Sequence, residues 1–110
     1  MSEQNLVRAC LRELRARGCL AFRVNSGGMV AEYKGRKRFV KFNGAAGCSD
    51  VLAILPPHGT LIACECKIGK NRLTENQAEF LAEVNAAGGI GLVVRDNCDD
   101  LWEAIRKAAP

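Results

Sequence analysis

Three charged residues accompany two short apolar runs in the middle of the chain. Asp50 precedes the run Val51–Leu55, and Glu65 and Lys67 lie near the end of the run 60–68. Residues two apart in a β-strand point to the same face, so Glu65 and Lys67 would project together, and Asp50 would join them from a neighbouring strand. Two close carboxylates need a cation, and a hard divalent ion with oxygen ligands polarises a phosphate and activates water. The pattern predicts a metal-dependent site, and a surface ion pair between Glu65 and Lys67 is the alternative.

Gln77 is the next candidate for this site. Thr74 and Gln77 have the spacing of a capping box, in which threonine caps a helix and glutamine reaches back. Gln77 also shares a helix side with Phe80, Leu81 and Val84, at intervals of three, four and seven residues. The side chain would therefore point toward the sheet, and both roles remain open.

Glu3 is a further candidate, from the first helix. It lies three, four and seven residues before Leu6, Val7 and Cys10, which places it on the core-facing side near the helix start. A carboxylate there could reach inward to the same site. Interaction with the helix dipole is a sufficient alternative.

The densest positive charge lies around a predicted hairpin turn at Lys34-Gly35-Arg36. Five bases fall within eight residues, with Tyr33, Phe39 and Phe42 interleaved: Lys34, Arg36, Lys37, Arg38 and Lys41. Such a run favours contact with a nucleic-acid backbone, and a solvated turn is the alternative. Lys70 and Arg72 form a second basic loop, directly after the strand that carries Glu65.

The order of elements predicts the fold class. The 110 residues, 48% of them hydrophobic, suit one domain spanning 1–110. Helical periodicity precedes a strand, a hairpin and two apolar strands, and then helix, strand and helix follow to Ala108. This order predicts an α/β protein with a mixed central β-sheet flanked by α-helices, in which Ile90–Val94 is a buried strand. The formal charge of +4 is compatible with a polyanionic partner.

The six cysteines and the absence of a membrane span favour an intracellular protein. No secretory signal precedes the cysteines, and several lie in apolar runs where thiols pack as small hydrophobes. A zinc site made from Cys48, Cys64, Cys66 and His58 is an alternative, although the usual paired spacing is missing. No apolar run has the roughly 18 to 20 residues of a membrane span.

These motifs resemble a known family. Asp50 opening a strand, Glu65-Cys66-Lys67 ending the next and Gln77 early in the following helix are similar to the PD-(D/E)XK nuclease superfamily, and within it to the virus-type replication-repair nuclease (VRR-NUC) domain. The likeness extends from Glu3 to the closing apolar strand. Ser49 stands where the family name has proline. The resemblance implies a restriction-endonuclease-like core and hydrolysis of DNA phosphodiester bonds with Mg²⁺ or Mn²⁺.

The resemblance also implies residue roles. Asp50 and Glu65 would ligate the metal, the Cys66 carbonyl could add a ligand, and Glu3 would complete the metal shell. Lys67 would orient the attacking water or stabilise the phosphorane. Gln77 would support the site from its helix, and Ser26 would lie at its rim.

Stand-alone copies of this domain resemble virus-encoded, homodimeric nucleases that resolve Holliday junctions. The expectation is therefore an endonuclease for branched DNA, located in the cytoplasm and acting in a host cell if virus-encoded. The alternatives are a nuclease for flaps, nicks or duplex ends, a non-catalytic DNA-binding module, and a zinc-stabilised interaction domain.

Overall fold

The helices and strands follow the predicted order. The computed structural model describes residues 1–24, 28–41 and 47–108. Their elements are α1 (Glu3–Ala16), β1 (Leu20–Arg23), β2 (Gly28–Tyr33), β3 (Arg36–Lys41), β4 (Val51–Leu55), β5 (Thr60–Lys67), α2 (Glu75–Ala86), β6 (Ile90–Arg95) and α3 (Asp99–Ala108).

Four strands form a mixed sheet in the order β1-β4-β5-β6. β4 pairs antiparallel with both β1 and β5, whereas β5 and β6 are parallel because α2 connects them. The predicted α/β class with a mixed sheet is therefore confirmed. β5, eight residues long, lies between β4 and β6 and carries Glu65 and Lys67.

Helices cover both faces of this sheet. α1 and α3 pack through Leu6, Leu14 and Leu101 on the face that carries Ile62. α2 packs through Leu81 and Val84 on the opposite face, around Ala63. Each helix buries one apolar stripe against the sheet. The cover is incomplete at β1, where Leu20 and Phe22 remain exposed.

The hairpin of β2 and β3 forms its own two-stranded sheet. Lys34 and Gly35 occupy its turn with φ of 51° and 76°, as expected for a type I′ turn, whose twist matches that of paired strands. The predicted hairpin with a basic tip is confirmed. Within the described residues, β2 and β3 pair only with each other.

The prediction that β6 is a buried strand is wrong. It forms an edge of the four-stranded sheet, and among its residues only Val94 is buried. Its run of apolar residues reflects the helices packed on both faces, because α2 and α3 cover β6 from opposite sides. An apolar run therefore indicates coverage of the faces and does not establish a central position in the sheet.

Among the described residues, no helix combines the length and the apolar character required to cross a membrane.

Candidate active site

The register of β4 and β5 brings the two predicted carboxylates together. Val51 pairs with Cys64 in antiparallel register. Asp50, one residue before Val51, therefore lies opposite Glu65, one residue after Cys64. Asp50 is fixed at two points: its carbonyl accepts a hydrogen bond from Val24 N at 2.8 Å, and its Oδ2 accepts one from Cys66 N at 3.0 Å. The Asp50 side chain is thus held against the β5 backbone beside Glu65.

Glu65 is a buried acid with one unpaired oxygen. Its residue is 2% exposed. Oε1 accepts a hydrogen bond from Gln77 Nε2 at 3.1 Å, whereas Oε2 is buried and has no hydrogen-bond partner in the described part of the chain. A buried carboxylate oxygen without a partner is energetically costly, which marks this atom as the place where a cation or a proton belongs.

The electrostatics of Glu65 agree with this geometry. The pKa of Glu65 is raised to about 8, first by burial and then by the neighbouring Asp50, while Lys67 lowers it by less. Because the charged form is disfavoured by desolvation and by a second carboxylate, a bound cation would stabilise it strongly.

Lys67 lies on the same face of β5 as Glu65, as strand alternation predicts. Its Nζ is 3.9 Å from Glu65 Oε1, and the two side chains are 11% and 2% exposed. The ion pair between Glu65 and Lys67 is therefore present, but its predicted location at the surface is wrong, because both partners are buried. The ammonium group is positioned to act beside the carboxylates.

Gln77 performs both of the roles that its spacing allowed. Its Oε1 accepts from Thr74 N at 2.9 Å, and Thr74 Oγ1 accepts from Gln77 N at 3.1 Å, which completes the capping box. Its Nε2 remains to donate to Glu65 Oε1. The start of α2 is thereby connected to the buried acid.

Glu3 lies near this site without joining the pair of carboxylates. It is the first residue of α1, after the N-cap Ser2, and is half-buried. Its charge contributes to raising the pKa of Glu65. Within the described residues, however, Glu3, Asp50 and Glu65 do not each place one carboxylate oxygen within 4.8 Å of the others, so the role of Glu3 as a ligand stays a prediction.

The Cys66 carbonyl has a suitable direction for a ligand. The N–H and C=O of a strand residue point toward the same neighbouring strand. Since the Cys66 N–H donates to Asp50 Oδ2, the carbonyl is directed to the Asp50 side as well. Asp50, Glu65 and this carbonyl therefore offer oxygen donors of the type that Mg²⁺ and Mn²⁺ accept.

The loop with Lys70 and Arg72 is held by residues that the sequence did not single out. Arg95 Nη1 donates to the carbonyls of Gly69 and Asn71, each at 2.7 Å. Asp96 Oδ1 accepts from Gly69 N at 2.8 Å. Lys70 and Arg72 remain exposed on this fixed loop at the end of β5.

The hairpin has two chemically different faces. Ala31, Tyr33, Arg36 and Arg38 line one face, where Tyr33 pairs with Arg36. The alternating residues Val30, Glu32, Lys37 and Phe39 belong to the other, where Lys37 pairs with Glu32. Lys34 Nζ lies 5.4 Å from the centre of the Tyr33 ring. The predicted basic contacts are thus divided between faces, and Ser26 lies outside the described residues.

Gly47 and Ser49, in the loop that precedes Asp50, were not assigned a role in the site from sequence. A Cβ on Gly47, whose φ is +72°, would overlap the backbone carbonyl of Asn76, so this glycine lets the loop approach the first turn of α2. Ser49 is fully buried, and its Oγ has no hydrogen-bond partner among the described residues. A small-residue loop was the available signal for Gly47, and for Ser49 the signal was its place at the proline position of the family motif.

The zinc ligands considered from sequence are not assembled. The thiols of Cys64 and Cys66 lie close to that of Cys10, whereas Cys48 and His58 do not join this group. His58 is exposed in the turn between β4 and β5. All six cysteines, each within the described residues, are thiols.

Comparison with known proteins adds no relative to this geometry. No protein-family model matches the chain, and no curated protein is similar to it in sequence.

Proposed function

We propose that the protein is a metal-dependent endonuclease that hydrolyses phosphodiester bonds in branched DNA, with a restriction-endonuclease-like core similar to the VRR-NUC domain. One observation carries the proposal: Glu65 Oε2 is buried with no hydrogen-bond partner among the described residues, and the strand register brings Asp50 opposite Glu65. Such an oxygen beside a second carboxylate fits a divalent cation better than it fits a structural core.

Three oxygen donors would hold Mg²⁺ or Mn²⁺: the carboxylates of Asp50 and Glu65 and the carbonyl of Cys66. When bound, the ion supplies Lewis acidity to a phosphoryl oxygen and lowers the pKa of a coordinated water. The hydrogen bond from Cys66 N occupies Asp50 Oδ2 and orients this carboxylate before any cation arrives.

Lys67 and Gln77 complete the chemistry. The Lys67 ammonium, held at the end of β5, stabilises negative charge that develops on the phosphoryl group or orients the attacking water. Gln77 fixes Glu65 Oε1 by donating to it, which leaves Oε2 as the oxygen available to a cation. Asp50, Glu65, Lys67 and Gln77 together form the proposed catalytic group, and Glu3 adds negative charge at its edge.

The basic residues supply the contact with DNA. Lys70 and Arg72 extend from the loop after β5, next to the proposed catalytic group, and Arg36 and Arg38 share one face of the hairpin. Cations neutralise phosphates without reading sequence, which suits an enzyme that recognises the shape of DNA. A homodimer would present two such sites to the two strands of a Holliday junction.

The decisive experiment uses a labelled four-way junction, a flap and a linear duplex, each incubated with the purified protein and Mg²⁺ or Mn²⁺. Paired symmetric nicks in the junction, absent in chelator, are the expected result. Preference for the flap or the duplex would replace junction resolution with the alternative structure-specific nuclease.

A matched pair of lysine variants separates catalysis from binding. Lys67→Ala should abolish cleavage and preserve binding, whereas Lys107→Ala removes a lysine from an exposed ion pair with Glu103 and should preserve both. If wild-type protein binds DNA in metal and cleaves none of the substrates, the protein is a DNA-binding module and the catalytic proposal fails.

A further inference from the structure

Four thiols converge on the face of β5 opposite the carboxylates. The Sγ atoms of Cys10, Cys64 and Cys66 all lie within 4.8 Å of one another, and all three residues are buried. Cys10 Sγ lies 3.8 Å from Cys98 Sγ and 3.9 Å from Cys66 Sγ. These four residues are referred to below as the thiol group.

Three separate elements assemble the thiol group. Cys64 and Cys66 are two apart in β5, so both point away from the face that carries Glu65. Cys10 lies on the apolar stripe of α1, and Cys98 immediately precedes α3. The remaining two cysteines, Cys19 and Cys48, are buried but lie outside the thiol group.

Two sulfur–sulfur separations in the thiol group equal those between ligands of a tetrahedral metal site. A tetrahedral thiolate site with zinc–sulfur bonds of about 2.3 Å has sulfur–sulfur edges of about 3.8 Å. The two observed separations, 3.8 and 3.9 Å, equal that edge closely. Thiols packed only as small apolar groups can also touch at such distances, so the property that distinguishes a site is the binding of a soft metal.

We propose that Cys10, Cys64 and Cys66, with Cys98 as the fourth ligand, bind one Zn²⁺ ion as a structural site. The ligands are thiolates, so each coordinating thiol releases its proton to solvent on binding. Soft sulfur donors in apolar surroundings select Zn²⁺ over Mg²⁺, which keeps this site distinct from the carboxylates on the other face of the sheet.

Cys98 is the ligand that must move. It does not lie within 4.8 Å of both Cys64 and Cys66, but it is half-buried at the N-terminus of the ten-residue α3. To serve as the fourth ligand, the Cys98 side chain must rotate so that its sulfur approaches the other three.

Zinc at this position would stiffen the strand that carries the proposed catalytic group. Cys66 contributes its Sγ to the thiol group while its N–H donates to Asp50 Oδ2. Cys64 and Cys66 flank Glu65 directly. A metal that crosslinks α1, β5 and α3 would therefore fix the backbone from which Glu65 and Lys67 project.

The test is spectroscopic and independent of cleavage. The full chain is stripped with chelator, fully reduced, confirmed by thiol counting under denaturing conditions, and titrated anaerobically with Co²⁺. One equivalent should produce the charge-transfer and d–d absorption of tetrahedral cobalt thiolate, and Zn²⁺ should remove that absorption by displacement. Absence of this absorption in the reduced wild-type protein would overturn the proposal.

Cysteine substitutions test which residues bind Co²⁺. Cys10→Ala should weaken Co²⁺ binding at least about tenfold, whereas Cys19→Ala, which removes a buried thiol outside the group, should bind like wild type. If Cys10→Ala does not fold, Cys98→Ser at the half-buried position should weaken binding and alter the absorption. Unchanged binding in both Cys10→Ala and Cys98→Ser, or equal loss in Cys19→Ala, would contradict the assignment.

A last variant separates this inference from the proposed nuclease. Asp50→Asn removes a carboxylate from the opposite face and should leave the cobalt thiolate absorption unchanged. Loss of that absorption in folded Asp50→Asn would show that the thiol group does not bind the metal independently of the carboxylates, which would contradict the assignment.

Discussion

Gln77 Nε2 donates a hydrogen bond to Glu65 Oε1 at 3.1 Å while Gln77 Oε1 accepts from Thr74 N in the capping box of α2. A single amide thereby connects the N-terminus of α2 to a buried acid on β5. The stability of the helix and the orientation of the acid depend on the same side chain, and substitutions can separate the two.

Thr74→Ala and Gln77→Ala should differ in their effect on cleavage. Thr74→Ala removes one capping acceptor and should lower the free energy of unfolding by about 1 kcal/mol while leaving cleavage largely unchanged. Gln77→Ala should lower stability similarly and reduce cleavage at least about tenfold, because Glu65 loses its donor. Denaturant unfolding and junction cleavage measure the two effects. Equal cleavage by both variants would assign Gln77 to capping alone.

Glu65 should make stability depend on pH when no divalent metal is present. Its pKa is about 8 in the folded protein, against an ordinary value of 4.5. The folded state therefore binds this proton more tightly, and its stabilising contribution is complete below about pH 4.5 and is lost as pH rises toward about 8. Glu65→Gln removes this titration, so the variant should gain stability relative to wild type over that range, by up to several kcal/mol. Denaturant unfolding in chelator across this pH range measures the difference, and a difference that does not change with pH would contradict the raised pKa.

Divalent metal should reverse the order of stability of wild type and Glu65→Gln. At about pH 8, Mg²⁺ or Mn²⁺ should raise the melting temperature of wild type, because it stabilises the ionised Glu65. Glu65→Gln should show little response to either ion. Thermal melts of both proteins in chelator and in metal give the result, and equal stabilisation of the two proteins would argue against Glu65 as a ligand.

The two faces of the hairpin should contribute unequally to DNA binding. Arg36→Ala with Arg38→Ala removes two cations from the face that also carries Tyr33. The slope of log affinity against log salt should fall by about 0.9 for each phosphate that the variant no longer neutralises. Lys37→Ala, on the other face opposite Glu32, should leave the slope nearly unchanged. Fluorescence anisotropy in chelator prevents cleavage during the measurement, and a decrease of about 0.9 in Lys37→Ala would show that both faces contact DNA.

Gly47→Ala should disturb the site through its backbone. The new Cβ would overlap the carbonyl of Asn76, which displaces either the loop before Asp50 or the start of α2. We expect a loss of stability of more than about 2 kcal/mol together with reduced cleavage. Gly88→Ala is the matched control, because its φ is +94° and nothing lies within 4 Å of the added Cβ. It should cost about 1 kcal/mol and preserve cleavage, and equal effects of the two substitutions would remove the steric explanation.

The sequence by itself determined the positions of the helices and strands and which residues make up most of the candidate site. Helical and strand periodicity are local properties, so the helix that begins after Thr74 and the strand that carries Glu65 and Lys67 could be predicted directly. Alternation within β5 also determined that Glu65 and Lys67 share a face. These predictions succeeded because each depends on residues that are close in the chain.

Only the tertiary structure decided which distant residues meet. The hydrogen bond from Cys66 N to Asp50, the edge position of β6 and the convergence of Cys10 with Cys64 and Cys66 all depend on strand pairing and helix packing. Those arrangements result from contacts between segments far apart in sequence, which periodicity does not encode. The burial of Glu65 Oε2, which has no hydrogen-bond partner in the part of the chain that the structure describes, was likewise decided by tertiary structure, because burial is a property of the packed protein and not of the residue.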